Sequence, residues 1–132
     1  MKNEEIETRT AKLYLGKDGI SRSIIKPGAE ITIDEIKENF AALSQITAGK
    51  KTPSLIDLRG IKSINREARV YLSDEETVNI NSASALLIGS PVSKMIGNFF
   101  IGLNKPPYPT KLFTSESKAL EWLKSFVGKE ES

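Results

Sequence analysis

Polar and apolar positions are mixed over residues 5–15, which end in Lys12-Leu13-Tyr14-Leu15. Gly16-Lys17-Asp18-Gly19 follows, and its two glycines permit the positive φ values of a hairpin connection. Residues 20–25 supply a returning strand that Lys26-Pro27-Gly28 stops, so the chain is expected to open with an antiparallel hairpin. The period then changes from that of a strand to that of a helix. Ile33, Ile36, Phe40, Leu43 and Ile46 recur at helical intervals over 31–49, giving one buried stripe. Thr32 and Glu35 have capping-box spacing, Ile31 and Ile36 that of a hydrophobic staple, and Gly49 is the expected stop.

Residues 54–58, Ser-Leu-Ile-Asp-Leu, are short and rich in large apolar side chains, as in a strand covered on both faces. Gly60 marks the turn beyond, Ile61 and Ile64 anchor it, and Asn65 is placed to cap a helix running to about residue 79. Ala68, Tyr71, Leu72 and Val78 would face inward, with Arg66, Arg69, Asp74 and Glu76 outward and Asn81-Ser82 as the break. A second buried strand is expected over 83–89, Ala-Ser-Ala-Leu-Leu-Ile-Gly. Ser90-Pro91 then reads as an N-cap with proline at the first helical position. The helix over 92–103 is unusually apolar, carrying Met95, Ile96, Phe99, Phe100, Ile101 and Leu103. A stiff linker at 105–109 and a short strand at 111–113 lead to a last helix. Thr114 or Ser115 caps it, Ala119, Trp122, Leu123 and Phe126 share a face, and Gly128 ends it.

The order β-β-α-β-α-β-α-β-α implies an α/β fold with a mixed, largely parallel sheet. A length of 132 residues fits a single domain spanning 1–132 with its core over about 5–127. With 19 basic against 17 acidic side chains, the net charge of +2 gives no electrostatic footprint for nucleic acid. No apolar run approaches a membrane span, and the polar start MKNEEIETRT has no signal-peptide core, so a cytoplasmic address is expected. Cysteine and histidine are both absent, which removes disulfides, thiol nucleophiles, cysteine–histidine zinc sites and histidine-based triads. Carboxylate chemistry remains open in principle. The acidic clusters at Asp34-Glu35, Asp74-Glu75-Glu76 and Glu116 read as helical surface, so no enzyme, metal or cofactor is expected.

Three segments carry a resemblance: LIDLRGIKSINREARVYL, ALLIGSPVSKMIGNFF and TKLFTSESKALEWL. Together they resemble the SpoIIAA-like fold, which includes the STAS domains of anti-sigma-factor antagonists and relatives of the lipid-carrying CRAL-TRIO domains. The resemblance is strongest to small uncharacterised bacterial proteins of that fold, and it specifies fold better than function. Regulatory STAS antagonists carry an Asp-Ser-Ser-Gly-like motif, with a phosphorylated serine, where the second helix begins. Asn65-Arg66-Glu67-Ala68 stands there instead, with no hydroxyl at the phosphorylation position and Ser63 displaced from it. The kinase switch therefore does not carry over, and Glu67 reads as ordinary first-turn helix chemistry.

Two candidate sites follow. Asp57, Arg59, Ser63, Asn65 and Arg66 lie at or beyond the end of the central strand, where α/β folds bind ligands. They form either a recognition patch or turn and cap residues, with Asp57 paired to a nearby arginine or a backbone donor. Met95, Phe99 and Phe100 belong to an apolar arc too wide for one buried stripe. The preferred reading buries that helix under its neighbours and the C-terminal helix; otherwise the surplus lines an apolar ligand pocket, forms a dimer interface or contacts a membrane surface. The expected function is a non-enzymatic module acting through a protein partner or a second copy, with the helix starting near Asn65 and the apolar helix from Val92 as its recognition surface. The alternative is a carrier of a small apolar ligand or lipid.

Overall fold

The computed structural model describes residues 5–72, 81–102 and 108–128. Six strands form one sheet: β1 (Glu5–Glu7), β2 (Ala11–Leu15), β3 (Ser21–Ile25), β5 (Thr52–Asp57), β7 (Asn81–Leu87) and β8 (Thr110–Phe113), in that spatial order. The β1–β2 and β2–β3 pairs are antiparallel, and the three pairs from β3 to β8 are parallel. β4 (Glu30–Ile31) and β6 (Ser63–Ile64) form a separate parallel pair. The helices are α1 (Ile33–Thr47), α2 (Arg66–Leu72), α3 (Pro91–Ile101) and α4 (Glu116–Lys124).

Side-chain alternation along the strands decides which helix covers which face. Ile56, Leu86 and Leu112 point to one face, where they pack with Ile36, Ala68 and Ile96 of the first three helices. Leu55, Ala83, Ala85, Leu87 and Phe113 point to the other, beneath Ala119 and Leu123 of α4. The alanines of β7 give α4 a flat floor to approach. A third cluster seats Ala42 and Leu43 of α1 on Ala11 and Leu13 of β2.

Local chemistry explains the helix starts. The Glu35 carboxylate accepts from the Thr32 backbone N–H at 2.8 Å and from the Thr32 hydroxyl, and Arg9 pairs with its other oxygen. Asn65 Oδ1 accepts from Ala68 N–H, and the Ser115 hydroxyl accepts from Lys118 N–H. At the far end of α1, Ala48 holds the left-handed conformation just before the expected stop at Gly49.

Several boundaries differ from those expected. The expected hairpin is present as β2 and β3, and β1 adds an unforeseen third antiparallel strand before it. The Thr8 hydroxyl accepts from Thr10 and Ala11 N–H and thereby builds a turn that contains neither glycine nor proline. Asn39 of α1 pins that turn through Thr8 and Thr10. The central strand begins at Thr52 and contains Pro53, tolerated through a register shift between those two residues. Asn81 begins β7, paired with Thr52 of β5, and Ser82 lies at the register shift that follows. The expected helical extension over 73–79, with Val78, Asp74 and Glu76, lies outside the described residues, as do Leu103 and the linker at 105–107.

The Thr32 hydroxyl is the main cause, ahead of the Thr32 N–H, that lowers the Glu35 carboxyl pKa, and Arg9 adds to it against partial burial. A pKa lower in the folded than in the unfolded state gives stability that is full above the ordinary glutamate value, about 4.3, and is lost as pH falls through the folded value. Glu35→Gln keeps an acceptor for the cap but does not titrate there. Urea midpoints measured as pH falls through the ordinary glutamate range, about 4.3, should therefore fall less steeply in the variant. Equal slopes would mean that Glu35 is not a linked group.

Candidate functional site

The polar residues expected to form one patch fall into two groups. Asp57 ends β5, and its carboxylate receives Arg59 Nε at 3.0 Å and Nη2 at 2.8 Å, as well as the Arg59 backbone N–H. This pairing raises the Arg59 pKa above its ordinary value, and Glu116 at the start of α4 stands 3.8 Å from the same guanidinium. The Arg59 stem crosses the face of Gly89, where a Cβ would stand 3.1 Å from Cγ, so glycine leaves the space that the arginine fills. Ser63, by contrast, lies in the β4–β6 pair, Asn65 is spent on capping α2, and Arg66 is exposed on the first turn of that helix. The observed Asp57–Arg59 pair is the structural alternative raised from the sequence.

The α3 N-terminus is closed by its own serines. Ser93 Oγ accepts from the N–H groups of Gly89 and Ser90 and donates to Ser90 O, while Ser90 Oγ accepts from Ser93 N–H. Beside it, Gly89, Ser90, Pro91, Lys94, Met95 and Asn98 line an open surface groove. Among the described residues, no three acidic side chains gather as a metal site. Nor is any described helix long and apolar enough to cross a membrane.

The apolar arc of α3 divides in two. Ile96 and Gly97 are buried against the sheet, and Val92 and Phe100 are half-buried against the same cluster. Met95 is 65% exposed, and Phe99 and Ile101 are 39% exposed each. The C-terminal helix cannot cover them, because α4 packs on the opposite face of the sheet. This corrects the expectation of a fully covered helix for Met95 and Phe99, while Phe100 keeps its place in the core. The two rings meet edge to face at 5.2 Å, so the half-buried Phe100 helps fix the outward Phe99. Arg69 of α2 donates to Ile64 O and holds its guanidinium 5.7 Å from the Phe99 ring centre, joining α2 to this surface. Val70, 60% exposed, extends the apolar surface of α2. Arg69 and Val70 were absent from the sequence-derived site; helical phase turns them away from the buried Ala68, but nothing in the sequence pairs Arg69 with a residue thirty positions on.

The meander leading into parallel β-α units agrees with the SpoIIAA-like order implied by the sequence resemblance. The chain belongs to the family described as a domain of unknown function, DUF7793, whose model matches residues 14–127. It is similar to an uncharacterized DUF3478-family protein with a SpoIIAA-like fold from Shewanella loihica PV-4, at 17% identity and a TM-score of 0.49, covering 92% of each chain. It is also similar to a protein with unknown function from Arthrobacter sp. FB24, at 35% identity and a TM-score of 0.35, covering 90% of this chain and 96% of that one. No curated protein matches the chain.

Proposed function

We propose that the protein is a non-catalytic binding module that docks another protein on the outer face of α3 and the adjoining side of α2. The observation that carries this reading is the outward pair Met95 and Phe99, one turn apart on a helix whose other side is packed into the core. Bulky apolar side chains grouped at a surface mark interaction sites far more often than single ones do. Arg66, Arg69 and Lys94 lie on the same two helices, and α3 itself carries no acidic residue. The matching partner surface is an apolar centre flanked by carboxylates. Catalysis has little support at the sheet's carboxyl end, where Asp57 is committed to Arg59.

The test is the pair of substitutions Met95→Asp and Phe99→Asp, made together. Both side chains are exposed, so the thermal midpoint should change little. Placing two charges against an apolar partner should weaken the complex isolated from the native host by about 100-fold or more. Undiminished binding would refute the docking face. A bound apolar small molecule, lost on the same substitutions with no protein partner present, would identify a carrier instead.

A further inference from the structure

A row of hydroxyls crosses the sheet at the amino ends of its parallel strands. Ser21, Ser54, Ser84 and Thr110 stand in register on β3, β5, β7 and β8, on the face covered by the first three helices. Thr52 Oγ1 donates to Ser21 Oγ, which donates to Ser54 Oγ, each at 3.1 Å. Beyond Ser54 the protein bonds run out. Ser84 is 2% exposed and Asn81 5% exposed, yet Ser84 Oγ, Asn81 Oδ1 and the enclosed Ser82 Oγ have no hydrogen-bond partner. Tyr108 closes this end, its hydroxyl accepting from Asn81 Nδ2 at 3.4 Å and lying near enough to Ser84 to interact with it.

We infer that this end of the row binds an ordered water, held by Asn81 Oδ1 and Ser84 Oγ and within reach of the Tyr108 hydroxyl. The unpaired set has complementary chemistry, since Asn81 Oδ1 accepts while the two serine hydroxyls both donate and accept. Burial raises the Tyr108 pKa, so the phenol keeps its proton and remains a donor. Leaving such groups dry costs about 1–3 kcal/mol each, whereas a buried water normally makes two to four bonds of this kind. Space follows from residue size. One row further along the same face stand Ile56, Leu86 and Leu112, where this row has Ser54, Ser84 and Thr110. Turning the Asn81 amide would exchange its ends without supplying partners for Ser82 and Ser84. The water would extend the hydroxyl row from β5 across β7 to Tyr108.

A crystal structure at about 1.5 Å or better decides the matter on the unmodified chain. A density peak about 2.6–3.2 Å from both Asn81 Oδ1 and Ser84 Oγ is the expected result. A dry site, with Asn81 and the serines re-paired to protein groups, overturns the inference. In solution, the Ser84 amide should show an exchange-independent cross-peak to water that disappears in Ser84→Val, whose methyl groups fill the space. Persistence of the cross-peak in that variant would place the water elsewhere and overturn the assignment.

Discussion

Leu123→Ala should lower the unfolding free energy by about 3 kcal/mol, within the range of about 2–5 seen for fully buried leucines. Leu123 is fully buried, and with Ala119 it seats α4 on Leu55, Ala83, Ala85 and Leu87. Ala83 and Ala85 are already small, so they cannot move up to fill the space left by the leucine, and the cavity term stays in force. Phe113, Trp122 and Phe126 border the same cluster, and their interlocked rings limit its collapse. For a chain of this size the thermal midpoint should fall by roughly 10 °C. A loss below about 1 kcal/mol in urea titrations would show that α4 is not packed this closely.

Gly97→Val should cost about 2 kcal/mol, while Gly97→Ala should be near neutral. Gly97 lets α3 lie close to the sheet: a Cβ there would stand 2.9 Å from Leu112 Cδ2 and 3.2 Å from Ile88 Cγ2. Leu112 Cδ2 is a side-chain end that can yield, and the stiffer branch methyl of Ile88 need give only a few tenths of an ångström. Alanine also improves helix propensity by roughly 0.5–1 kcal/mol, which offsets that adjustment. Valine adds two further methyl groups at the same point and must push α3 outward, an overpacking cost of about 1–3 kcal/mol. Because α3 carries the proposed docking face, the valine variant should also bind a partner there more weakly, whereas the alanine variant should not. Equal stability of both variants in denaturant titrations would contradict the close seating of α3.

What was legible in the sequence was mostly local. Thr32 and Glu35, Asn65, Ser90-Pro91 and Ser115 mark helix starts because capping is settled within three or four residues. The strands around Leu55 and Leu86 were legible because burial on both faces demands continuous apolar runs. What failed depended on distant partners. The Thr8–Thr10 turn is stabilised by Asn39, the start of β7 by Thr52, and Ser63 by Glu30, and none of these pairings leaves a periodic trace. The same holds for the candidate site. The width of the apolar arc on α3 showed that some residues were surplus, but which side stays uncovered is set by the alternation that sends α4 to the opposite face.

The docking face is tested most directly by placing a photoreactive phenylalanine analogue at position 95 and, separately, at the exposed Glu121 of α4, in the native host. One discrete protein adduct from position 95, absent from position 121 and abolished by Phe99→Asp in a variant of unchanged thermal midpoint, is the predicted result. Equal adducts from both positions, or an adduct at 95 indifferent to Phe99→Asp, would contradict the assignment of this face.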